Sequence, residues 1–90
     1  MSSVTEDLDN MSGVPRYLQV ARILETEIRD GTYQPGNPVP SQVRLYERFG
    51  IARATGAKAH AWLAEHGYIV AVPGVGMVVT TPGHWKPETR

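Results

Sequence analysis

The 90-residue chain contains no cysteine. This absence excludes a disulfide framework, a thiol nucleophile and the cysteine-based zinc ribbons and fingers. No apolar run approaches the roughly 18 residues that a transmembrane helix requires. The polar, acidic start of the chain is also unlike a signal peptide, which has a basic start and an apolar middle. We therefore predict a cytoplasmic protein that does not enter a membrane.

The chain also lacks an excess of charge of either sign, because nine Lys and Arg residues balance nine Asp and Glu residues. The distribution is nevertheless uneven: residues 1–13 contain three acids and no base, whereas residues 41–60 contain four bases and one acid. Positive charge that is concentrated in a short segment favours a polyanionic partner. A chain of this length buries one small core, which leaves no room for a multi-layer enzyme.

The two ends differ in composition from the middle of the chain. Residues 1–13 have few large apolar side chains and end in glycine, which predicts a disordered acidic tail. Residues 82–90 contain two prolines and a glycine, which predicts a flexible C-terminal tail. Within that tail, Trp85 docks either on the domain or on a partner. Residues 14–81 form the single predicted domain.

The middle of the chain has the periodicity of three helices. Apolar residues at spacings of three and four predict a first helix over residues 15–30. Ser41 is a good N-cap for a short second helix, which ends at Phe49 before Gly50. A third helix is predicted over residues 53–66. The second and third helices, joined by a short turn that contains glycine, have helix-turn-helix spacing.

A β-hairpin is predicted after the helices. Residues 68–72 and 77–80 are rich in β-branched side chains, and the glycine-containing residues 73–76 between them predict a turn. Because an isolated hairpin is unstable in water, one of its faces must pack on the helices. The predicted fold class is therefore α+β, mainly α: a winged helix-turn-helix of three helices and a C-terminal β-hairpin wing.

Several short segments of this domain carry a family resemblance. They are Tyr17-Leu18-Gln19-Val20, residues 31–36 (GTYQPG), Val39-Pro40-Ser41, residues 49–55 (FGIARAT), residues 63–69 (LAEHGYI) and residues 74–76 (GVG). In order and spacing they resemble the winged helix-turn-helix DNA-binding domain of the GntR family of bacterial transcription regulators. The resemblance covers about 65 of the 90 residues. Family members normally carry a C-terminal effector domain, for which this chain has no room, so we expect no small-molecule effector here.

The resemblance implies a sequence-specific regulator that binds double-stranded DNA, as a homodimer on a palindromic site. The third helix would enter the major groove and the wing the adjacent minor groove. Basic side chains and free N–H groups at the start of a helix suit phosphates and guanine edges. No catalytic residue, metal site or cofactor is implied. The candidate DNA-binding residues are Ser41, Arg44, Arg53, Thr55, Lys58 and Gly76.

The chain departs from the family pattern at several positions. Val43, Ala57 and Val75 stand where the family has basic residues, and Arg44 is displaced by one position from the first of these. Gly56 replaces an apolar residue of the third helix, at a cost of roughly 1 kcal/mol relative to alanine. The family comparison also places a leucine at His60 and a capping Ser or Thr at Ala52. Three missing cations predict altered specificity or reduced affinity for DNA.

Two hypotheses remain open at this point. In the first, the chain is a DNA-binding regulator whose charge comes from Arg44, Arg53, Lys58 and, in addition, Arg48. In the second, it is a degenerate winged helix that acts as a protein-interaction module with weak or no DNA binding. The docking patch would then be the apolar wing: Val72, Val75, Met77 and Val78. The chain is either a fragment or a stand-alone short member, and its N-terminal methionine favours the latter.

Overall fold

The computed structural model describes residues 8–9 and 13–86. Three α-helices come first, and two strands and a short 3-10 helix follow. Their bounds are α1 Arg16–Arg29, α2 Gln42–Phe49, α3 Arg53–Glu65, β1 Ile69–Val72, β2 Gly76–Val79 and the 3-10 helix Pro82–His84. This order confirms the predicted winged helix-turn-helix. Among the described residues, no helix has the length and apolar character that crossing a membrane requires.

The second helix begins and ends for local reasons, whereas the third begins without a side-chain cap. The Ser41 hydroxyl accepts a hydrogen bond from the backbone N–H of Arg44 at 3.2 Å, as the N-cap prediction requires. Gly50 ends α2 in the left-handed region, with φ of 72°. At the start of α3, Ala52 offers no side-chain cap. The first turn of α3 therefore has backbone N–H groups without a capping oxygen.

The core lies between α1, α3 and the inner face of the hairpin, with α2 packed against α3. From α1 it receives the predicted apolar stripe, and from the hairpin Ile69 and Val79. The largest fully buried side chains are Tyr68, Leu24, Ile28, Leu45, Ile51, Leu63 and Val20. Burial of the Tyr68 ring, together with a hydrogen bond from its hydroxyl to Glu25, raises the pKa of Tyr68 to about 12.

The wing is an antiparallel pair in which Ile69 is opposite Val79 and Val72 is opposite Gly76. A third segment lies along the free edge of β2. Its backbone N–H groups at Gly36 and Val39 each donate over 2.9 Å to carbonyls of β2. Pro38 also forms a bridge with Val78. The loop that leads into α2 is therefore attached to the wing, a contact that the sequence patterns did not predict.

An ion pair joins α1 to α2. Both terminal guanidinium nitrogens of Arg48 donate to the Glu27 carboxylate, Nη1 over 2.8 Å. The guanidinium carbon of Arg48 lies 4.7 Å from the centre of the Phe49 ring, and the Tyr33 hydroxyl is 3.4 Å from one nitrogen. Only about a fifth of each charged side chain is exposed. The pair therefore holds the outer surface of α2 in a fixed position relative to α1.

Residues 82–86, which composition assigned to a flexible tail, instead pack on the domain. The Trp85 ring lies 5.5 Å from that of Tyr68, and its Nε1 donates to the Thr80 carbonyl over 3.2 Å. The contact is close at Gly67, where an added Cβ would lie 1.9 Å from the carbonyl oxygen of His84. Trp85 thus docks on the domain itself. The remaining residues of the predicted tail, 87–90, lie outside the described residues.

The predicted N-terminal tail is only partly covered by the structure. Residues 1–7 and 10–12 lie outside the described residues. Leu8 is partly buried against the core, and the backbone N–H of Asp9 donates to the Gln19 side chain over 2.7 Å. The Gln19 amide donates in turn to the carbonyls of Asp9 and Val14. The described part of this segment is therefore attached to the start of α1.

Candidate nucleic-acid interface

The start of α2, the start of α3 and the tip of the wing surround one open groove. Its volume is about 500 Å³. Three of the six candidate DNA-binding residues line it, each from a different element: Ser41 before α2, Arg53 in α3 and Gly76 in β2. Residues that are far apart in the sequence thus converge on one surface. Such convergence is what a site that contacts a single large ligand requires.

Arg53 is the first residue of α3 and is exposed. Its guanidinium forms no hydrogen bond or ion pair with any residue that the structure describes. It stands beside the uncapped N–H groups of the first helical turn, where the helix dipole also favours an anion. An unpaired guanidinium at this place suits a phosphate or the O6 and N7 atoms of guanine.

His60 lines the groove and connects α3 to the segment that precedes α2. Its side chain is 7% exposed, and Nε2 lies 2.8 Å from the carbonyl oxygen of Pro40. Because a carbonyl oxygen can only accept, Nε2 is the protonated nitrogen. The hydrogen bond connects α3 to the residue before Ser41, so it positions the start of α2 next to Arg53. Sequence reasoning noted His60 only as a departure from leucine.

The exposed arc of α3 has a cation at each edge and mostly apolar residues between them, with the acidic Glu65 at its C-terminal end. Arg53 and Lys58 are separated by about 140° around the helix axis, given 100° per residue. The exposed residues between them around the axis include Ala54, Ala57 and Ala61. Lys58 lines a second, shallow depression beside α1 rather than the groove. The structure therefore places the two predicted cations at opposite edges of one surface.

The other two candidates do not line the groove. Arg44 is exposed on α2, next to the Ser41 cap to which its backbone N–H donates. Thr55 is half-buried in the first turn of α3. Arg48, which was expected to add charge to a DNA surface, is paired with Glu27 on the inner side of α2. The carboxylate partner comes from α1, so the pattern of α2 alone does not reveal this pairing, and a DNA contact of Arg48 stays a prediction.

The wing exposes apolar side chains at its tip, but not the complete patch of the second hypothesis. Val75 is 58% exposed, whereas Val78 is 9% exposed and lies beside Pro38. Met77 is half-buried against the core. Gly76 has a φ of 123° and open space around it, so the backbone at the tip is accessible. This geometry favours close approach of a ligand to the wing backbone.

No group of three or more histidine or acidic side chains in the described part of the chain has the geometry of a metal site. The surface is instead built from single cations, backbone N–H groups and apolar contacts. Together with the three-helix core and the hairpin, this surface defines the class of the protein: a winged helix-turn-helix domain of the DNA-binding type.

Comparison with known proteins gives the same class and also its family. The family profile described as "Bacterial regulatory proteins, gntR family" matches residues 16–79. The chain therefore belongs to the gntR family of bacterial regulatory proteins, as the sequence motifs indicated. This family consists of regulators rather than enzymes, in agreement with the prediction that the chain is not an enzyme.

Individual relatives and structures are similar to this chain over most of its length. The HTH-type transcriptional repressor NagR of Bacillus subtilis (strain 168) is 34% identical over 76 residues, which are 84% of this chain and 31% of NagR. The crystal structure of AraR(DBD) in complex with operator ORX1 covers 88% of this chain and 100% of that chain, with 28% identity and a TM-score of 0.77. YtrA from Sulfolobus acidocaldarius, a GntR-family transcription factor, covers 92% of this chain and 66% of YtrA, with 31% identity and a TM-score of 0.72.

This chain thus spans about a third of the length of the curated relatives that it matches. A further example is the histidine utilization repressor of Klebsiella aerogenes, which is 32% identical over 68 residues, or 28% of the repressor. The similarity corresponds to the winged helix-turn-helix region of this chain. What the longer relatives do with the rest of their length is not carried over to it.

Proposed function

We propose that this chain binds double-stranded DNA in a sequence-specific manner and regulates transcription. In this proposal, α3 enters the major groove and the wing reaches the adjacent minor groove. The observation that carries the proposal is the convergence of Ser41, Arg53 and Gly76 on one groove, with the Arg53 guanidinium unpaired. The similarity to AraR(DBD), whose crystal structure is a complex with operator ORX1, supports DNA as the ligand of this surface.

The chemistry of the groove divides the proposed contacts into two kinds. Ser41 and the uncapped first turn of α3 offer neutral donors to phosphate oxygens, which fix the register of the protein on the duplex. Arg53 offers a planar fork of donors, which matches the O6 and N7 atoms of guanine. Gly76 allows the wing backbone to approach sugar and phosphate closely. Base recognition is therefore assigned mainly to Arg53, and we propose that its positive charge also neutralises the adjacent phosphate.

The small number of unpaired cations predicts a shallow salt dependence. Arg44, Arg53 and Lys58 are the candidates that remain once Arg48 is assigned to Glu27. Each phosphate contact contributes about 0.9 to the slope of log K against log salt. Three contacts per subunit give a slope of about 3, so the six contacts of a dimer would give about 5. We accordingly propose a homodimer on a palindromic site, because a single subunit with three cations binds weakly at physiological salt.

The proposal is tested by measuring DNA binding by fluorescence anisotropy with a random duplex pool and sequencing the retained duplexes. We expect enrichment of a palindrome, and an Arg53→Ala variant should lose about 1–3 kcal/mol of binding free energy on that operator. Arg29→Ala is a charge-matched control, since Arg29 is exposed in the last turn of α1. No enriched sequence, or an equal effect of the two variants, would contradict the proposal.

A further inference from the structure

Tyr46 is an aromatic residue that the fold does not use for its core. It lies on the outer side of α2 and is 60% exposed, the highest value among the large apolar and aromatic side chains that the structure describes. Its hydroxyl forms no hydrogen bond with any described residue. On the inner side of the same helix, Leu45 and Phe49 are almost completely buried. Packing therefore gives no reason for an aromatic side chain at this position.

The position of Tyr46 connects it to the proposed DNA surface. With Val43 of the preceding turn, Ala52 and Arg53, it lines a shallow depression at the turn between α2 and α3. Val43 and Arg53 also line the main groove. Arg53 thus stands between the groove and the depression, so a DNA strand that contacts Arg53 from the groove continues toward the phenol of Tyr46.

The phenol of Tyr46 is suited to contact the sugar-phosphate backbone of such a strand. In helix-turn-helix complexes the first of the two helices crosses the sugar-phosphate backbone, while the second reads the bases. A tyrosine hydroxyl is one of the neutral donors that hydrogen-bond to phosphate oxygens. No acidic side chain lines this depression, so none competes with a phosphate for the hydroxyl.

We propose that the Tyr46 hydroxyl donates a hydrogen bond to the DNA phosphate next to the nucleotide contacted by Arg53. The inference rests on the proposed function and adds a contact to it from α2. A neutral donor displaces no counterion, so this contact strengthens binding without making it more sensitive to salt. It therefore compensates in part for the apolar Val43, which lies one turn away on the same side of α2.

The first test compares Tyr46→Phe with the unmodified protein on the enriched operator over a range of salt concentrations. Loss of the hydroxyl should weaken binding by about three- to tenfold at every salt concentration, the effect of one hydrogen bond. The slope of log K against log salt should stay unchanged, whereas Arg53→Ala should reduce it by about 1. The matched control is Tyr33→Phe, since the Tyr33 hydroxyl lies beside Arg48 on the other side of α2.

The second test identifies the phosphate. Phosphates of the operator are replaced one at a time by methylphosphonate, and each duplex is titrated with both proteins. At one phosphate per half-site, the substitution and Tyr46→Phe should be non-additive, because each removes the same hydrogen bond. Thermal unfolding should show the same stability for both proteins, since the Tyr46 hydroxyl forms no hydrogen bond with the residues that the structure describes.

The outcomes separate this inference from the proposed function. If the unmodified protein binds the operator and Tyr46→Phe binds equally well, the inference is overturned and the proposed function stands. Weaker binding by Tyr46→Phe with additive effects at every phosphate also overturns it. If the unmodified protein binds no duplex at all, both the inference and the proposed function fail.

Discussion

Arg48 and Arg53 lie five residues apart in the same helix-turn-helix, yet they belong to two different regions of the molecule. Arg48 is on the inner side of α2, where Glu27 of α1 neutralises it and the Phe49 ring lies beneath it. Arg53 is on the outer side, at the start of α3, and has no partner among the described residues. Arg48 links α1 to α2 through its ion pair, and Arg53 remains available to bind an external anion.

The difference between Arg48 and Arg53 shows that a count of basic residues does not give the number of cations available to bind DNA. Four bases lie within residues 41–60, and this local excess suggested a polyanionic partner. One of the four is cancelled by an acid that is 21 residues away in the sequence. The outer region therefore has fewer usable cations than the sequence suggests. Variants that alter one region and leave the other intact can separate their roles.

The largest effect is expected when cations are added to the outer region. The variant Val43→Arg/Ala57→Arg/Val75→Arg places three charges on exposed positions of the proposed DNA surface. If each reaches one phosphate, DNA affinity at about 50 mM salt should rise roughly a thousandfold and the salt slope should steepen by about 3 per subunit. Anisotropy titrations on a random duplex over a salt series measure both quantities.

The control for this variant carries three arginines at exposed positions outside the groove: Thr26, Gln34 and Gly83. It has the same net charge, so it shows how much affinity a general increase in positive charge provides. The outer-region variant should bind far more tightly than this control. Equal binding by the two variants would show that the surface assigned to DNA is wrong.

A smaller effect, on stability alone, is expected in the inner region. Glu27→Gln keeps the shape of the side chain but removes the charge that partners Arg48, which is mostly buried. Loss of this charged hydrogen-bond pair should lower the free energy of unfolding by about 1–2 kcal/mol. Urea unfolding followed by circular dichroism measures this change, with Glu65→Gln on the exposed side of α3 as the control.

The DNA affinity of Glu27→Gln also tests whether the inner region is separate from the DNA surface. Under conditions in which it is fully folded, Glu27→Gln should bind the operator as the unmodified protein does, because the pair faces α1. A clear gain of affinity with a steeper salt dependence would show that Arg48, once its charge is no longer neutralised by Glu27, contacts DNA.

The smallest effect is expected at Gly56, where α2 packs on α3. A Cβ at this position would lie 3.5 Å from Leu45 Cδ1 and 3.6 Å from Gln42 Cα, which are ordinary contact distances. Gly56→Ala should therefore raise the free energy of unfolding by about 0.5–1 kcal/mol through helix propensity. Chemical unfolding measures this gain, and a loss of stability would show that α2 and α3 lie closer together than these distances indicate.

Local patterns predicted the parts of the fold that depend on neighbouring residues. The apolar stripe of α1, the Ser41 cap and the left-handed Gly50 were all identified from the sequence, and each has a cause within a few residues. Packing of the hairpin on the helices was also predicted, but particular contacts between distant segments were not. Examples are the loop at residues 36–39 along β2 and the hydrogen bond between His60 and Pro40. Their partners are brought together only by the packing of the whole domain.

The candidate site was predicted to a similar extent. The family resemblance named Ser41, Arg53 and Gly76, and the structure brings these three together. Spacing along α3 separates Lys58 from Arg53, but it could not reveal that Lys58 lies beside α1. Tyr46 was missed because an aromatic residue in a short amphipathic helix suggests a core position. Its position on the outer side of α2, relative to Leu45 and Phe49, is the signal that could have identified it.

The most direct test of the account compares Arg53→Ala with Arg48→Ala on the enriched operator, in matched salt titrations at a temperature where both variants are folded. Both remove one positive charge, so only its location differs. The account predicts that Arg53→Ala loses about 1–3 kcal/mol of binding free energy and about 1 in salt slope, and that Arg48→Ala changes neither. Equal losses, or a larger loss for Arg48→Ala, would contradict the division of the helix-turn-helix into an inner and an outer region.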